Sequence, residues 1–373
     1  MIDLCNDPTE SEKAFLIATH RAMNITYIRF KRVTKFFDSW KEVFEASIGK
    51  LQESGLDSKA IEKLMTARPE IIPEIELEKI YKADATLLLH GSKKYPLPLT
   101  EIHDPPIVLF CRGTLRSSDF PAISIVGSRR ISPYGKRSTE KITAAIAQEK
   151  LTIVSGLAYG VDILAHQIAV ENHSRTIAVL GSGIDRITPT AHCNLAESWI
   201  RDEKMVVLSE FLPGVEGLAE NFPRRNRIIT GLSKATIVME GAIKSGSLIS
   251  GKLALEQDRE VFAVPGDIFS PTSQGCNHLI AENIASPALS GKQILDQLGL
   301  ERQHQKKRAL IVLPETGIES DIFGLFQHHH PYHVDELSRK SPLSHQQITS
   351  TLIIMEMKGL VKNMGLQTYV KNI

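Results

Sequence analysis

Cysteine is scarce in this chain of 373 residues: Cys5, Cys111, Cys193 and Cys276 are scattered, with no C-x-x-C pair among them. That excludes a zinc knuckle and a disulfide framework and leaves reduced thiols as the expectation. An excess of charge is missing as well. Lys and Arg number 44 against 43 Asp and Glu, a net charge of +1, so no global field draws the protein to nucleic acid or to an anionic membrane. Any site for a polyanion must come from local clustering. No stretch reaches the ~18 consecutive apolar residues of a membrane span. The opening "MIDLCNDPTESEKAF" carries acids where a signal peptide carries bases, so a cytoplasmic protein with no membrane partner is expected.

What the chain does have is enough apolar residue, 42%, to bury a core, with 23% charged residues to keep its surface wet. Its length suggests two or three domains. Residues 1–76 read as a small helical domain of the SAM or helix-hairpin-helix kind. Apolar positions recur at helical spacing from Phe15 to Leu64, and Pro69 and Pro73 break the pattern. Within 77–300, two apolar runs at 84–120 bounded by Pro and Gly read as edge strands. Six nearly all-apolar runs follow, "ISIV", "TIV", "TIAVL", "MVVL", "ATIVM" and "VFAV", each succeeded by a small-residue turn and an amphipathic stretch. Uniformly apolar strands alternating with helices predict a doubly wound parallel α/β sheet covered on both faces. The charged stretch 301–309, "ERQHQKKRA", reads as a linker. In 310–373, three helices and a final strand pair fit a winged-helix domain, its longest helix capped by Ser344 and ended at Gly359.

The turns after the strands are "GSRR", "SGLAYG", "GSG", "SEF", "EGAIKSGS" and "PGD". All fall at one edge of such a sheet, where backbone N–H groups and helix N-termini converge on ligands. Two nucleotide motifs are only apparent. "GSLISGKL" (246–253) matches a P-loop until Leu253, where a magnesium-binding hydroxyl is required, and "GSGIDR" lacks the last glycine of a dinucleotide fingerprint. His328, His329, His330 and His333 have no Cys or carboxylate at ligand spacing, so no metal site is expected. Asp162, Glu210, Glu240 and Asp267 lie near strand ends but form no spaced triad or dyad, which leaves catalytic residues and cofactors as none.

Charge does gather at "NFPRRNR", residues 221–227. Arg224, Arg225 and Arg227, with Arg129 and Arg130 from the first turn and Lys244 from the fifth, offer more cations than one nucleotide needs. Guanidinium forks suit phosphate oxygens, while Ser128, Asn226, Ser245 and Ser247 add neutral hydrogen-bonding groups. An extended polyanion along the crevice, its bases stacked on apolar or arginine surfaces, is therefore expected, with one or two of the arginines spent on internal carboxylates.

The motifs "SIVGSRRISPYG", "IVSGLAYGVDILAHQIAV", "TIAVLGSGID", "NFPRRNRIITGLS", "SGSLISGKLALEQDREVFAVPGDI" and "GCNHLI" resemble, in order and spacing, the DNA-processing protein A family (DprA, also called Smf). The resemblance implies an extended Rossmann-like domain that binds single-stranded DNA without a cofactor, dimerises and helps load the RecA recombinase during natural transformation. It also implies that DNA contacts fall on Gly127, Ser128, Arg129, Phe222, Arg224, Asn226, Arg227, Lys244, Ser245, Gly246 and Ser247. The chain departs from the family's pattern at Ser174-Arg175, where a Gly-Gly pair is usual, and at Thr188-Pro189-Thr190, where Tyr-Pro is usual. Two other readings of the same sheet are a phosphoribohydrolase-like enzyme, whose P-G-G-x-G-T-x-x-E signature is missing, and a nucleotide sensor to which the winged helix responds. The longest tail helix has few bases beyond Lys358 and Lys362, so docking in a duplex groove is weakly supported.

Overall fold

A computed structural model describes residue 2 and residues 8–300, 317–326, 330–358 and 360–371. The expected linker at 301–309, the C-cap at Gly359, and His328 and His329 lie outside the described residues. Contacts divide the chain into two compact units, Met1–Ile294 and Leu295–Ile373.

The larger unit is organised by a nine-stranded sheet. Its strands are β1 (Thr86–Leu89), β2 (Val108–Arg112), β3 (Ala122–Val126), β4 (Thr152–Ser155), β5 (Thr176–Leu180), β6 (Met205–Ser209), β7 (Ala235–Val238), β8 (Glu260–Ala263) and β9 (Ser286–Pro287), in the order β1-β2-β6-β5-β4-β3-β7-β8-β9. From β6 across to β9 every pairing is parallel. The early pair β1 and β2 is antiparallel and extends the sheet at the β6 edge. The chain thus enters at β3, winds outward to β6, then returns to build β7 on the other side of β3. That reversal makes the carboxyl ends of β3 and β7 the switch point, where the following helices leave on opposite faces and open a crevice.

Strands β3, β4, β5, β6 and β7 are buried at every residue, which explains why their sequences are runs and not alternations. Alternate side chains still part to opposite faces. Ala178, Leu180, Met205 and Val207 join Leu16, Ile17, Trp40 and Leu64 of the N-terminal helices in one cluster. Ile177, Val179, Val206 and Leu208 join Ile228, Ile229 and Leu248 in the other. The N-terminal helices and the sheet therefore share a core. These helices are defined by their starts: Thr9, Thr26, Ser39, Ser47 and Asp57 each accept a backbone N–H from the first turn. Pro73 opens a helix instead of stopping one, and Pro73–Lys82 runs across position 76.

The smaller unit has helices Gly317–Gly324, Val334–Lys340 and His345–Met357 with a three-stranded sheet of β10 (Tyr332–His333), β11 (Val361–Asn363) and β12 (Thr368–Lys371), ordered β10-β12-β11. Ile322, Leu337, Ile348, Leu352 and Tyr369 form its core. Ser344 accepts from Gln347 N while the Gln347 side chain reaches back to Ser344 N, a capping box that starts the longest helix where expected. His333 caps Val334–Lys340 through Nδ1, which accepts from Asp335 N.

Two buried histidines make stability depend on pH. His20 Nδ1 accepts from Ile25 N at 3.2 Å, and burial, with Arg224 nearby, depresses its pKa to about 4. His166 Nδ1 lies 2.6 Å from Thr176 Oγ1, and burial, with Arg225 and His192 facing it, depresses its pKa to about 3. Both stay neutral in the folded protein while the unfolded chain takes up protons below about pH 6.5, so acid favours unfolding. Between pH 7 and pH 5 each histidine should remove about 2 kcal/mol of stability. Urea titrations at the two pH values check this. His20→Gln and His166→Gln should each flatten the dependence, and a midpoint that ignores pH in the unaltered protein would refute the assignment.

Candidate nucleic-acid interface

The turn after β3 is drawn tight by its own serine. Ser128 Oγ accepts from Arg130 N at 3.1 Å and donates to Arg130 O at 2.8 Å, and the Ser128 carbonyl accepts from Val161 N. Helix Val161–Glu171 therefore starts against the turn. A Cβ on Gly127 would lie 2.5 Å from Val161 Cγ2, so only glycine permits this approach.

The stretch "NFPRRNR" forms the first two turns of helix Asn221–Gly231, and helical phase sorts its side chains. Phe222, Arg225, Asn226 and Ile229, spaced three and four apart, face a cleft of about 320 Å³ at the switch point. Gly127, Ser128 and Arg129 line the opposite wall, and Ser245, Gly246 and Ser247 the third. Two guanidiniums lie over the Phe222 ring, with the Arg129 Cζ 4.6 Å and the Arg225 Cζ 5.7 Å from its centroid.

Arg225 is only 4% exposed. Its Nη1 donates to Val179 O at 2.5 Å and passes so close under the chain that a Cβ on Gly156 would lie 2.0 Å away. Burial lowers its pKa to about 10, opposed by the carboxylate of Asp162, so it remains a cation at neutral pH. Asp162 itself accepts from Gly156 N, and burial pushes its pKa above the ordinary carboxylate value. Arg225 Nε is buried without a hydrogen-bond partner, a donor left over in the cleft wall.

Ser245 and Ser247 hydroxyls lie 2.7 Å apart, and Ser245 stands at the N-cap of helix Gly246–Glu256 without its side chain accepting from it. Leu248 N donates to the Ser245 carbonyl at 3.2 Å, while Gly246 and Ser247, the first helical residues, line the cleft at the positive end of the helix dipole. Asn226 Nδ2 donates to Gly246 O at 3.4 Å across the cleft.

The remaining cations divide. Arg129, Arg130, Arg224 and Lys244 are exposed, and no ion pair among the described residues engages them, but of the four only Arg129 lines the cleft, while Arg130, Arg224 and Lys244 flank its lining residues in the chain. Arg224 lies over the Phe211 ring at 5.4 Å. Arg227 does not reach the cleft: its Nη2 donates to Glu210 at 2.5 Å and its Nε is 3.4 Å from Asp104, with the side chain 13% exposed. The strand-end acids are likewise engaged. Glu240 accepts from Ser132 N, and Asp267 accepts from Phe269 N.

Sequence reading missed Thr272, Ala158 and Ser250 as cleft residues. Thr272 belongs to a loop whose only sequence mark is the hydroxyl-rich "SPTS" after "PGDIF". Its carbonyl accepts from Gly241 N, a contact between segments far apart in the chain.

Among known proteins, residues 86–299 match the family model described as DNA recombination-mediator protein A, and residues 312–365 match that of the DprA winged helix domain. The chain is 41% identical over 233 residues to the DNA processing protein DprA of Streptococcus pneumoniae, covering 60% of this chain and 81% of the relative. It is 36% identical over 296 residues to Protein Smf of Synechocystis, covering 78% and 73% respectively. The X-ray structure of the S. pneumoniae protein superposes with a TM-score of 0.66 at 36% identity, over 76% of this chain and 97% of that one. A structure of DNA processing protein A from Helicobacter pylori, which concerns its single-stranded DNA binding mode, gives 0.51 at 28% identity, over 57% and 95%.

Proposed function

This chain belongs to the DNA-processing protein A (DprA/Smf) family, and on that premise we propose that it binds single-stranded DNA in the cleft between β3 and β7. It acts there as a recombination mediator that protects incoming DNA and loads RecA during natural transformation, working as a cytoplasmic homodimer without a cofactor. The observation that carries the reading is the meeting of Arg129, Phe222 and Arg225 in one cleft, two guanidiniums near one aromatic ring, beside the start of helix Gly246–Glu256. Such a surface takes phosphate and base together and reads no sequence.

A binder and not an enzyme is favoured by the strand-end carboxylates. One oxygen of each of Asp162, Glu210, Glu240 and Asp267 is held by a backbone N–H or an arginine of the protein itself, and no two of these acids share a hydrogen bond or an arginine among the described residues. Titration of the full chain with labelled single strand, duplex and mononucleotide over a range of salt tests the reading. Single strand should bind best, with log affinity falling by about 0.7 per phosphate neutralised for each tenfold rise in salt. Tighter binding of a mononucleotide, or release of free base from it, would replace this reading with the sensor or the enzyme. RecA filaments should also form faster on strands already covered by a competing binder when the protein is added.

A further inference from the structure

A second cleft is lined by continuations of two segments that also contribute to the first. It has a volume of about 720 Å³ and is lined by Ser132, Tyr134 and Arg137 from one segment and by Gly266, Ser270 and Ser273 from another. The first segment supplies Gly127, Ser128 and Arg129 to the first cleft and then Ser132, Tyr134 and Arg137 to the second. The other places Thr272 in the first and its neighbour Ser273 in the second. The same two segments therefore run from the lining of the first cleft to that of the second within a few residues.

The second cleft is built and not merely open. Tyr134 Oη donates to Pro265 O at 2.6 Å, which fixes its ring while leaving the residue 43% exposed. Both polar groups of Gly266 are held by one side chain: Gly266 N donates to Asn277 Oδ1 at 3.1 Å, and Asn277 Nδ2 donates to Gly266 O at 3.0 Å. Gly241 N donates to Thr272 O at 2.7 Å and ties the far end of the loop to the turn after β7. This anchored loop nevertheless presents Ile268 at 71% and Phe269 at 84% exposure. Arg137 is exposed, with no ion pair or hydrogen bond among those of the described residues. Asp267 opposes an anion on the loop side but is turned to Phe269 N at 2.9 Å, so phosphate belongs on the Arg137 wall and a base on the loop wall.

We infer that the DNA strand continues from the first cleft into this second one, where Tyr134 stacks a base and Arg137 takes a phosphate, and that Phe269, exposed on the same loop beside the lining residues Asp267 and Ser270, stacks a further base at the rim. The inference rests on the proposed single-strand function and lengthens its footprint. Aromatic faces accept any base, so the second cleft adds affinity and length dependence without sequence preference.

The test is a series of oligothymidylates of increasing length, titrated against the full chain and its Phe269→Ala and Arg137→Ala variants. The shortest oligomers fill only the first cleft, and all three proteins should bind them equally. On long oligomers each variant should be about tenfold weaker, and Arg137→Ala should lower the salt slope by about 0.7. In Phe269→Trp, long oligomers should bind as tightly as to the unaltered protein and change the new tryptophan's emission, while short ones leave it unchanged. Superimposable length curves for all proteins, or a loss shared by short and long strands, would overturn the second cleft while leaving the single-strand function standing. Failure of the unaltered protein to bind any strand would remove the function itself.

Discussion

Replacing Arg129 and Arg224 together by alanine should weaken single-stranded DNA binding by more than about tenfold and lower the salt slope by about 1.4, twice the share of one phosphate contact. Both side chains are exposed, and no ion pair among the described residues competes for them. Each lies over an aromatic ring, Phe222 or Phe211, which orients the guanidinium without neutralising it. A charge-assisted hydrogen bond contributes about 1.5–3 kcal/mol, so two such losses exceed tenfold even after screening. Arg227→Ala is the contrast. Its guanidinium is occupied by Glu210 and Asp104, so its removal should lower the melting temperature more than the affinity per folded molecule. Fluorescence anisotropy at several salt concentrations checks both variants. An unchanged dissociation constant in the double variant would end the case for this cleft and the surface around Phe211 that flanks it.

The second large effect is on folding. Arg175→Met should destabilise the protein by about 3–5 kcal/mol, because it strands a buried charge. Asp119 is fully buried and accepts from Arg175 Nε at 2.5 Å, from Arg175 Nη2 at 3.2 Å and from Arg116 N at 2.8 Å. Arg175 also donates to the carbonyls of Thr114 and Glu203, and so fastens the start of β5 to the segment before β3. With Asp119→Asn added, the double variant should be less damaged than the sum of the two singles, since the buried charge is gone. Strict additivity in urea titrations would argue that the pair carries no coupling.

The parallel strands could be read from the chain because burial on both faces leaves one kind of residue at every position, a signal local to four or five residues. Ser344 and Gln347 marked a helix start for the same reason: the capping partners are neighbours in sequence. The glycine- and serine-rich turns, and the gathering of arginines near them, were visible in that way too. The fate of each arginine was not. Arg225 and Arg227 differ by two positions, yet helical phase sends one under Gly156 toward Asp162 and the other to Glu210 and Asp104. Those partners lie outside the stretch itself, and no local pattern announces them. The same holds for Thr272, brought to the cleft by a hydrogen bond to Gly241, and for Phe269, whose exposure only a finished fold reveals. Local composition and periodicity thus settled which elements form and where cations collect. Which of those cations face solvent and which are consumed inside was decided by long-range packing, because charge pairing and burial depend on neighbours that only the folded chain brings together.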